Sequence, residues 1–418
     1  MKIGLQTWGS EGDIRPFLAL AGGLSAKGHD VTLAVTSVDL KDYTPYAESL
    51  KFRILHAHET YTPWGVERLA RLKHDVIKSK QLEQVPRLFD ELLEPAVDEM
   101  YAVARRLAEE NDAMLGYFIA HPVQLAAAKS GRPYAPLVWS PDFYRSRHKP
   151  PSTLPNLGPW INPLWWKLAA GITNKMLLKY VNRLREREGY PAARDVFSDV
   201  WESKALTLIA ASPSLYQRPA DWGDHLQVSG FLALPDDAQD WVMLEDLRRF
   251  LDAGDPPVFM TFGSMPQSRP ATELFVEAAK AAGCRAIVQA QGDGVAGSDP
   301  DILHIQSAPH HRIFPRCSLV VHHGGAGTTH SASLAGCPSI IVEHFGDQIF
   351  WGAQLQQAGL TTRMLHERSV TPKILAAEIR KVLQSPSIQE RARAVAASMQ
   401  QEDGVQRAVT LIEQRLAG

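Results

Sequence analysis

Residues 319–336 read LVVHHGGAGTTHSASLAG, an apolar run followed by a histidine pair, a glycine-rich turn and a polar segment. The apolar run predicts a β-strand, and Thr328 and Thr329 predict the first turn of a helix. Glycines let a backbone approach a ligand closely, and the free N–H groups of a helix N-terminus favour negative charge. The stretch therefore predicts a strand–loop–helix unit of an α/β fold with an anion site at its loop.

A diphosphate group suits this loop chemically. His323 stands at the strand end and can donate a hydrogen bond to a phosphate oxygen, while Thr328 can supply a hydroxyl and a backbone N–H. Glycines alone also fit a plain helix cap, which is the competing interpretation. The histidine favours the ligand site, because open α/β sheets bind ligands at the carboxyl ends of their strands.

The rest of the chain alternates short apolar runs with longer segments of 3.6-residue period, which is typical of βαβ units. In the first half, strands are predicted at Lys2–Thr7, Asp30–Val35, Ala113–Ile119, Pro136–Trp139 and Leu206–Ala211. In the second half, strands are predicted at Val258–Phe262, Ala286–Gln289, Leu303–Ile305, Leu319–Val321 and Ser339–Val342. Helices are predicted to begin near Ile14, Gln81, Pro122 and Pro163, and to span Ala271–Ala282, Thr328–Ala335 and Gln348–Ala358.

The pattern predicts two doubly wound domains, which suits a chain of 418 residues. A stretch rich in proline and aspartate follows Leu232, so we place the boundary near Leu234, with domains at 1–233 and 234–418.

The composition narrows the class of partner. Lys and Arg number 44 against 46 Asp and Glu, so the chain lacks the basic excess of a nucleic-acid binder.

The three cysteines form no CxxC pair, which favours a reducing compartment, and we expect a cytoplasmic protein. No stretch reaches the roughly 20 apolar residues of a spanning helix, although 160–180 is apolar enough to suggest contact with a membrane face. Peripheral attachment therefore stays open.

A second candidate site follows the first predicted strand, where residues 9–16 read GSEGDIRP. Asp13 is expected to be the N-cap of the next helix. It also suits a general base, because a carboxylate in an apolar cleft can have a raised pKa and take a proton from a hydroxyl. Glu11 is the nearby rival for that role.

Two weaker signals lie in the second half. Asp347 and Gln348 follow a predicted strand and can bind several sugar hydroxyls, although from this dipeptide alone helix capping is the likelier role of Asp347. Ser264 follows another strand and can bond a phosphate.

Eight of the ten tryptophans precede Leu232, so the first domain is favoured for an apolar ligand. Core packing is the plainer interpretation. The candidate ring set for a wide apolar pocket is Trp64, Trp139, Trp160, Trp165 and Trp166. Trp165 and Trp166 are adjacent on a predicted helix, so one ring is expected to pack inward and the other to remain for ligand or membrane contact.

Several other classes of protein are disfavoured because the chain lacks their motifs at the required spacing. The chain has no GxxxxGK[ST] and no GxGxxG after its first strand, which disfavours P-loop NTPases and nicotinamide dehydrogenases. The two histidine pairs do not favour zinc, because adjacent residues of a strand point to opposite faces and no HExxH or Cys/His framework accompanies them. We expect no metal site.

Over essentially its whole length the chain resembles the inverting GT-B glycosyltransferases of the antibiotic and sterol glucosyltransferase type. The resemblance rests on GSEGDIRP at 9–16, FLDAGDPPVFMTFGSM at 250–265, APHHRIFPRC at 308–317 and HHGGAGTTHSASLAGCPSIIVEHFGDQIFWG at 322–352. It implies two Rossmann-like domains facing across a cleft, an acceptor site in the first, a nucleotide-sugar site in the second, and no required metal or other cofactor. It also implies that the final helices, Thr371–Leu416, pack back toward the first domain.

Carried over by position, the resemblance makes Asp13 the catalytic base and Asp347 and Gln348 the ligands of the sugar hydroxyls. The segment Ile305–His310 would contact the nucleobase, and His310 is its candidate residue. The candidate phosphate-binding residues are Ser264, His323, Gly325, Ala326, Gly327 and Thr328. The acceptor candidates are Trp64, Trp139, Trp165 and Trp166.

The resulting prediction is inverting transfer of a hexose from UDP-glucose to a hydroxyl of an apolar acceptor such as a sterol, terpenoid, polyketide or lipid. A dTDP-deoxysugar or dTDP-rhamnose donor is the alternative within this class. Two further hypotheses are a non-catalytic nucleotide-sugar-binding protein and a nucleotide-sugar epimerase. A monomer and a homodimer are both compatible with the sequence.

Overall fold

The structure is a computed structural model that describes residues 1–79, 81–235, 241–263, 269–289, 299–344 and 346–417. It folds into two compact units. The first unit comprises Met1–Pro213, Gln217–Gln239 and Asp403–Gly418, and the second comprises Ser214–Tyr216 and Asp240–Glu402. The chain thus passes into the second unit after Gln239 and returns to the first at Asp403.

The first unit is built on a parallel sheet of seven strands in the order β3-β2-β1-β4-β5-β6-β7. These strands are β1 (Lys2–Gly9), β2 (Asp30–Ser37), β3 (Arg53–His56), β4 (Ala113–Tyr117), β5 (Tyr134–Val138), β6 (Thr207–Ile209) and β7 (Leu226–Val228). Strands β4 and β5 are buried along their whole length, as expected for parallel strands covered on both faces.

Seven helices accompany this sheet: α1 (Glu11–Ala26), α2 (Thr44–Leu50), α3 (Gly65–Lys78), α4 (Gln81–Leu88), α5 (Val97–Glu110), α6 (His121–Lys129) and α7 (Asn162–Arg187). Helix α1 packs on β1 and β2 through a buried face that includes Ile14, Phe17 and Leu18. The burial of these side chains fixes the helix, and with it the loop between β1 and α1, against the end of the sheet.

The second unit has a parallel sheet of six strands in the order β10-β9-β8-β11-β12-β13. They are β8 (Val258–Thr261), β9 (Ala286–Gln289), β10 (Ile302–Ile305), β11 (Leu319–His322), β12 (Ser339–Glu343) and β13 (Leu365–His366). The helices are α8 (Glu245–Asp252), α9 (Arg269–Ala282), α10 (His310–Ile313), α11 (Ala326–Leu334), α12 (Gln348–Ala358), α13 (Pro372–Leu383) and α14 (Pro386–Met399). Two apolar clusters, one around Phe275 and one around Phe314, form its core.

The last helix, α15 (Gly404–Leu416), belongs to the first unit and packs on α1. Its Glu413 Oε1 lies 3.0 Å from His29 Nε2. A Cβ added to Gly23 of α1 would lie 2.2 Å from Val405 Cγ1, so the glycine permits this close helix contact.

The prediction of two parallel, doubly wound sheets is confirmed. Every predicted strand is present, and β9 and α12 have the predicted bounds. Three short or edge strands, β3, β7 and β13, were not predicted. Three helices begin two or three residues earlier than predicted: α1 at Glu11 rather than near Ile14, α9 at Arg269 rather than Ala271, and α11 at Ala326 rather than Thr328.

Candidate functional site

Each sheet has one point at which its strand order reverses direction, and ligands of open α/β sheets bind outside such points. In the second unit this point lies between β8 and β11. Gly263 follows β8 and His323 follows β11, so topology brings the loops of two separate sequence motifs together. Ser264, the predicted phosphate ligand after Gly263, lies outside the described residues.

The loop after β11 has a conformation that requires glycine. Gly324 has a φ of +94°. A Cβ there would lie 2.9 Å from Ile341 Cγ2 and 3.1 Å from the Gln348 carbonyl oxygen. The Gly324 N–H donates to Nδ1 of the buried His322 over 3.1 Å. This internal bond shapes the turn that carries the chain from β11 into α11.

The His323 imidazole lies against the backbones of two glycines. A Cβ on Gly263 would lie 2.8 Å from its Cε1, and a Cβ on Gly325 would lie 2.3 Å from its Nε2. Any larger residue at either position would displace the ring. The glycines that the sequence offered for close ligand approach therefore also hold the histidine.

His323 is neutral at physiological pH. Burial, together with the neighbouring His344 and His310, lowers its pKa to about 3. Its Nδ1 is buried and has no hydrogen-bond partner among the residues that the structure describes. We assign the proton to Nε2, because a buried N–H without an acceptor is rarer than a buried acceptor without a donor. The ring then presents one N–H beside Gly325.

Helix α11 begins next to this ring. Its first backbone bond runs from the Thr329 N–H to the Gly325 carbonyl over 3.0 Å, so the N–H groups of the preceding residues lie before the helical ladder. Thr328 is buried and Gly327 is exposed. His330 Nδ1 lies 2.7 Å from the Ala326 carbonyl oxygen, which it can bond across one helical turn. The predicted phosphate ligands Gly325–Thr328 thus form one helix N-terminus beside His323.

Asp347 and Gln348 lie at the start of α12, after β12. Asp347 occupies the N-cap position but its side chain makes no capping hydrogen bond, so the capping role that we judged likelier is wrong. Gln348 is buried, and its Oε1 accepts the His344 N–H over 2.7 Å. That bond orients the carboxamide. His310, the predicted nucleobase residue, begins α10 and stacks on Phe314 with ring centroids 4.4 Å apart.

In the first unit the reversal point lies between β1 and β4, and Asp13 follows β1. The prediction that Asp13 is the N-cap is wrong, because Ser10 is the N-cap and Asp13 lies three residues into α1. The Ser10 N–H donates to Asp13 Oδ2 over 2.8 Å, and the Ser10 hydroxyl lies 3.1 Å from the same oxygen. Gly9 has a φ of +131°, and a Cβ there would lie 2.3 Å from Oδ2. The carboxyl therefore packs directly on the Gly9 backbone.

Burial raises the pKa of Asp13 from the ordinary 3.8 to about 6. Hydrogen bonds from Ser10 and Tyr117 oppose this rise, while the nearby Asp39 adds to it. Glu11 behaves differently: burial opposes its ionisation, but Lys41 and Arg15 together lower its pKa. A paired, fully ionised carboxylate is a weaker base than one with a raised pKa, so Asp13 and not Glu11 suits proton abstraction.

Several known proteins are similar to this chain over nearly its whole length. Residues 283–413 match the C-terminal domain family of erythromycin biosynthesis protein CIII-like proteins. O-mycaminosyltylonolide 6-deoxyallosyltransferase of Streptomyces fradiae is 30% identical, over 99% of this chain and 97% of its own length. A sterol 3-beta-glucosyltransferase of Arabidopsis thaliana is 29% identical, over 100% of this chain and 68% of its own length. The chain belongs to the antibiotic and sterol glycosyltransferase family.

Solved structures agree on the fold of this glycosyltransferase. The crystal structure of the kitacinnamycin glycosyltransferase matches with a TM-score of 0.71 at 20% identity, covering 99% of each chain. That of the calicheamicin glycosyltransferase matches with a TM-score of 0.67 at 16% identity, covering 100% of this chain and 98% of the other. The resemblance inferred from the sequence motifs is confirmed, and so is the prediction of an enzyme.

The candidate acceptor rings of the glycosyltransferase do not form one cluster. Trp64 contacts Tyr61, with ring centroids 5.6 Å apart, and Arg68 lies over its face. Trp139 stacks on Tyr117 with centroids 4.4 Å apart. No ring-to-ring contact joins Trp64, Trp139, Trp165 and Trp166 within the described part of the chain.

Of the two adjacent rings, Trp166 packs inward, as predicted for one of the pair. Trp166 is buried against Phe197 and donates through Nε1 to the Lys149 carbonyl over 2.8 Å. Trp165 is half-buried and donates to the Pro155 carbonyl over 3.1 Å. Trp160, which we included in the apolar pocket, is 86% exposed, so its assignment as a pocket wall is wrong.

Sequence reasoning missed two residues of the glycosyltransferase that shape these sites. Tyr117 ends β4, beside β1 in the sheet, and hydrogen-bonds to Asp13. His344 follows β12 directly, lowers the pKa of His323 and donates its backbone N–H to Gln348. Because Tyr117 stands at the carboxyl end of a strand next to β1, the predicted strands together with the Rossmann strand order were a sufficient signal for it.

The raised pKa of Asp13 gives a prediction about the pH dependence of activity. If its carboxylate is the base, protonation removes activity, so kcat/KM should fall as the pH drops through about 6 rather than near the ordinary 3.8. A pH–rate profile of the wild type checks this, and Glu11→Gln should show the same acid limb. A limb that stays near pH 4 would assign the proton transfer to a different group.

Proposed function

We propose that the enzyme transfers a hexose, with inversion, from UDP-glucose to a hydroxyl of an apolar acceptor such as a sterol, terpenoid, polyketide or lipid. The observation that carries the proposal is the Asp13 carboxyl, held against Gly9 at the reversal point of the first sheet with a pKa of about 6. The names of the two relatives, a sterol 3-beta-glucosyltransferase and an O-mycaminosyltylonolide 6-deoxyallosyltransferase, support an apolar acceptor.

The proposed mechanism is a single displacement. Asp13 accepts the proton of the acceptor hydroxyl, whose oxygen bonds to the anomeric carbon from the face opposite the diphosphate. The bond between that carbon and the phosphate oxygen breaks, and its electron pair leaves with the nucleoside diphosphate. An α-linked donor therefore gives a β-glycoside.

The second unit supplies charge stabilisation for the leaving group. The N–H of His323 and the backbone N–H groups at the start of α11 are donors fixed in place before negative charge grows on the diphosphate. Such fixed donors lower the barrier because they need no reorganisation during the reaction. We propose that no metal is needed.

The activity is tested by incubating the protein with UDP-glucose and a panel of apolar alcohols, with products read by mass spectrometry. A hexose adduct with release of UDP is the expected result. The same panel with dTDP-deoxysugars is included because one relative is a 6-deoxyallosyltransferase. Release of UDP with an altered free sugar and no acceptor adduct would instead establish an epimerase, and UDP binding without turnover would establish a binding protein.

Asp347 gives a prediction specific to the sugar. Because its side chain does not cap α12, Asp347→Ala should not carry the roughly 1 kcal/mol cost of a lost helix cap. Loss of a charged hydrogen bond to a sugar hydroxyl should lower kcat/KM by about 10- to 100-fold while UDP affinity is kept. Asp403→Ala is the matched control, since Asp403 caps α15 by accepting the Gln406 N–H over 2.9 Å and its loss should cost about 1 kcal/mol.

Wild-type kinetics for Asp347→Ala, or an equal loss of UDP affinity, would contradict a role at the sugar. Calorimetry with UDP and steady-state kinetics with the full donor separate these outcomes.

We further propose a cytoplasmic location with peripheral contact to a membrane. The free thiols of Cys284, Cys317 and Cys337 support a reducing compartment. Among the described residues, no helix is long and apolar enough to cross a membrane.

A further inference from the structure

Helix α7 carries an apolar stripe that faces solvent. Leu164, Leu168 and Ile172 follow one another at four-residue spacing and are 62%, 52% and 48% exposed. Trp166 and Ala170, roughly opposite on the helix, are buried in the first unit. The helix therefore packs on the protein through one face and presents a second apolar face outward.

The stripe continues into the segment before the helix. Trp160 is 86% exposed, and Leu157 and Ile161 are 51% and 40% exposed. We call these three residues with Leu164, Leu168 and Ile172 the outer face of α7. It holds six of the ten exposed large apolar side chains found in the described chain, so the exposure is concentrated rather than scattered. Concentrated apolar exposure marks an interaction surface.

The segment that carries the outer face has charges of one sign, although Asp221, from elsewhere in the first unit, lines a cavity beside it. Residues 143–185 contain no Asp or Glu, although the whole chain has a net charge of −2. Lys167 and Lys175 extend from the same helix and Arg147 from the preceding loop, and all three are exposed. Within the described residues, none of these three side chains is ion-paired with a carboxylate.

A cavity of about 600 Å³ adjoins the outer face and has Arg147 and Lys167 in its lining. Pro163, Trp166 and Gly171 of the same helix segment form part of its wall. Unpaired cations beside apolar side chains match the chemistry of a lipid surface, in which phosphate groups lie next to acyl chains.

We propose that the outer face of α7 docks on the surface of a bilayer that contains anionic lipids. The helix lies in the plane of the interface, with its leucines and Ile172 among the acyl chains and its lysines at the phosphates. Trp160 is placed at the level of the headgroups, where amphipathic rings are favoured. The inference deepens the peripheral attachment that we proposed above, but it does not depend on glycosyl transfer.

The test is sedimentation with vesicles in the absence of any nucleotide sugar. Vesicles of phosphatidylcholine with about 30 mol% phosphatidylserine should bind the wild type, and pure phosphatidylcholine should bind it at least about fivefold more weakly. The triple variant Leu164→Gln/Leu168→Gln/Ile172→Gln should lose at least about tenfold in partitioning. Its control is Val66→Gln/Val242→Gln/Leu244→Gln, which removes three apolar side chains elsewhere that are 58%, 85% and 71% exposed, and it should bind like the wild type.

A second comparison, between two double lysine variants, tests the role of the positive charges. Lys167→Glu/Lys175→Glu should weaken binding to the anionic vesicles, whereas Lys27→Glu/Lys204→Glu, two exposed lysines outside the region, should not. Circular dichroism must show native helix content for each variant.

The proposal is overturned if the wild type fails to bind the anionic vesicles, or if both triple variants bind equally. It is also overturned if light scattering shows a wild-type dimer that the outer-face triple variant abolishes, since the surface would then bind a second copy of the chain. None of these outcomes bears on turnover of UDP-glucose, so the two proposals can fail separately.

Discussion

Asp13→Asn is expected to lower kcat by about 10²- to 10⁴-fold, the usual contribution of a general base. The amide oxygen of Asn can still accept the Ser10 N–H, which Asp13 Oδ2 now accepts over 2.8 Å, so the start of α1 keeps its geometry. The amide cannot take the proton of an acceptor hydroxyl. Steady-state kinetics with saturating donor and acceptor measure the loss.

The same substitution should stabilise the fold at neutral pH. Folded Asp13 holds its proton more tightly than the unfolded chain does, because burial raises its pKa to about 6. Its contribution to stability is therefore complete below pH 4 and is lost as the pH rises through about 6. Asn has no charge to bury, so at pH 8 the free energy of unfolding of Asp13→Asn should exceed that of the wild type by about 1–3 kcal/mol.

The combination of lower activity with higher stability distinguishes a base from a structural carboxylate. Glu11→Gln is the matched control: it removes a carboxylate two residues away that pairs with Arg15 and Lys41, and it should keep nearly full activity. Full activity in Asp13→Asn, or equal losses in both variants, would reject Asp13 as the base.

His323→Ala is expected to raise the dissociation constant for UDP by about 10- to 100-fold, the value of one hydrogen bond to a charged group. The substitution removes the N–H that the ring presents beside Gly325 and leaves the two glycines without their neighbour. Isothermal calorimetry on the folded variant measures the change. His148→Ala, which removes an exposed imidazole from the first unit, should bind UDP like the wild type.

Because burial and the neighbouring histidines lower the pKa of His323 to about 3, its hydrogen bond should not titrate between pH 5 and 8. UDP affinity should therefore be flat over that range apart from the titration of the nucleotide itself. Wild-type affinity in His323→Ala, or a step in affinity near pH 6.5 that this variant abolishes, would contradict the assignment.

Long apolar runs allowed the strands of both sheets to be predicted closely. Buried parallel strands such as β9 read as continuous apolar segments, and a pattern of that kind has few alternative interpretations. The strands that were not predicted lack a continuous apolar segment. Strand β3 is half-exposed at a sheet edge, and β13 has two residues, so neither has an apolar run long enough to identify.

The chemistry-bearing loops were also predictable, because the strand-to-helix junctions of an α/β sheet mark ligand sites before any coordinates exist. What the sequence could not supply was the role of each polar group. Ser10 and Asp13 are both good capping residues, and the register of α1 decided between them. Asp347 had the sequence of a cap, yet its side chain does not cap.

The tryptophans show where composition misleads. Five rings suggested one apolar pocket, but tertiary packing distributes them over separate contacts and leaves Trp160 in solvent. Sequence spacing carries no information about which face of α7 packs inward when both faces are apolar.

The placement of α15 determines how this enzyme can be engineered. Apart from the short stretch Ser214–Tyr216, the second unit is an insertion in chain order, entered after Gln239 and left before Asp403. A fragment that stops at the first junction would bare the α1 surface that Val405 covers, so it is a poor candidate for separate expression. Exchanging the second unit with that of a relative therefore calls for two crossover points, with the final helix retained from the same parent as residues 1–239.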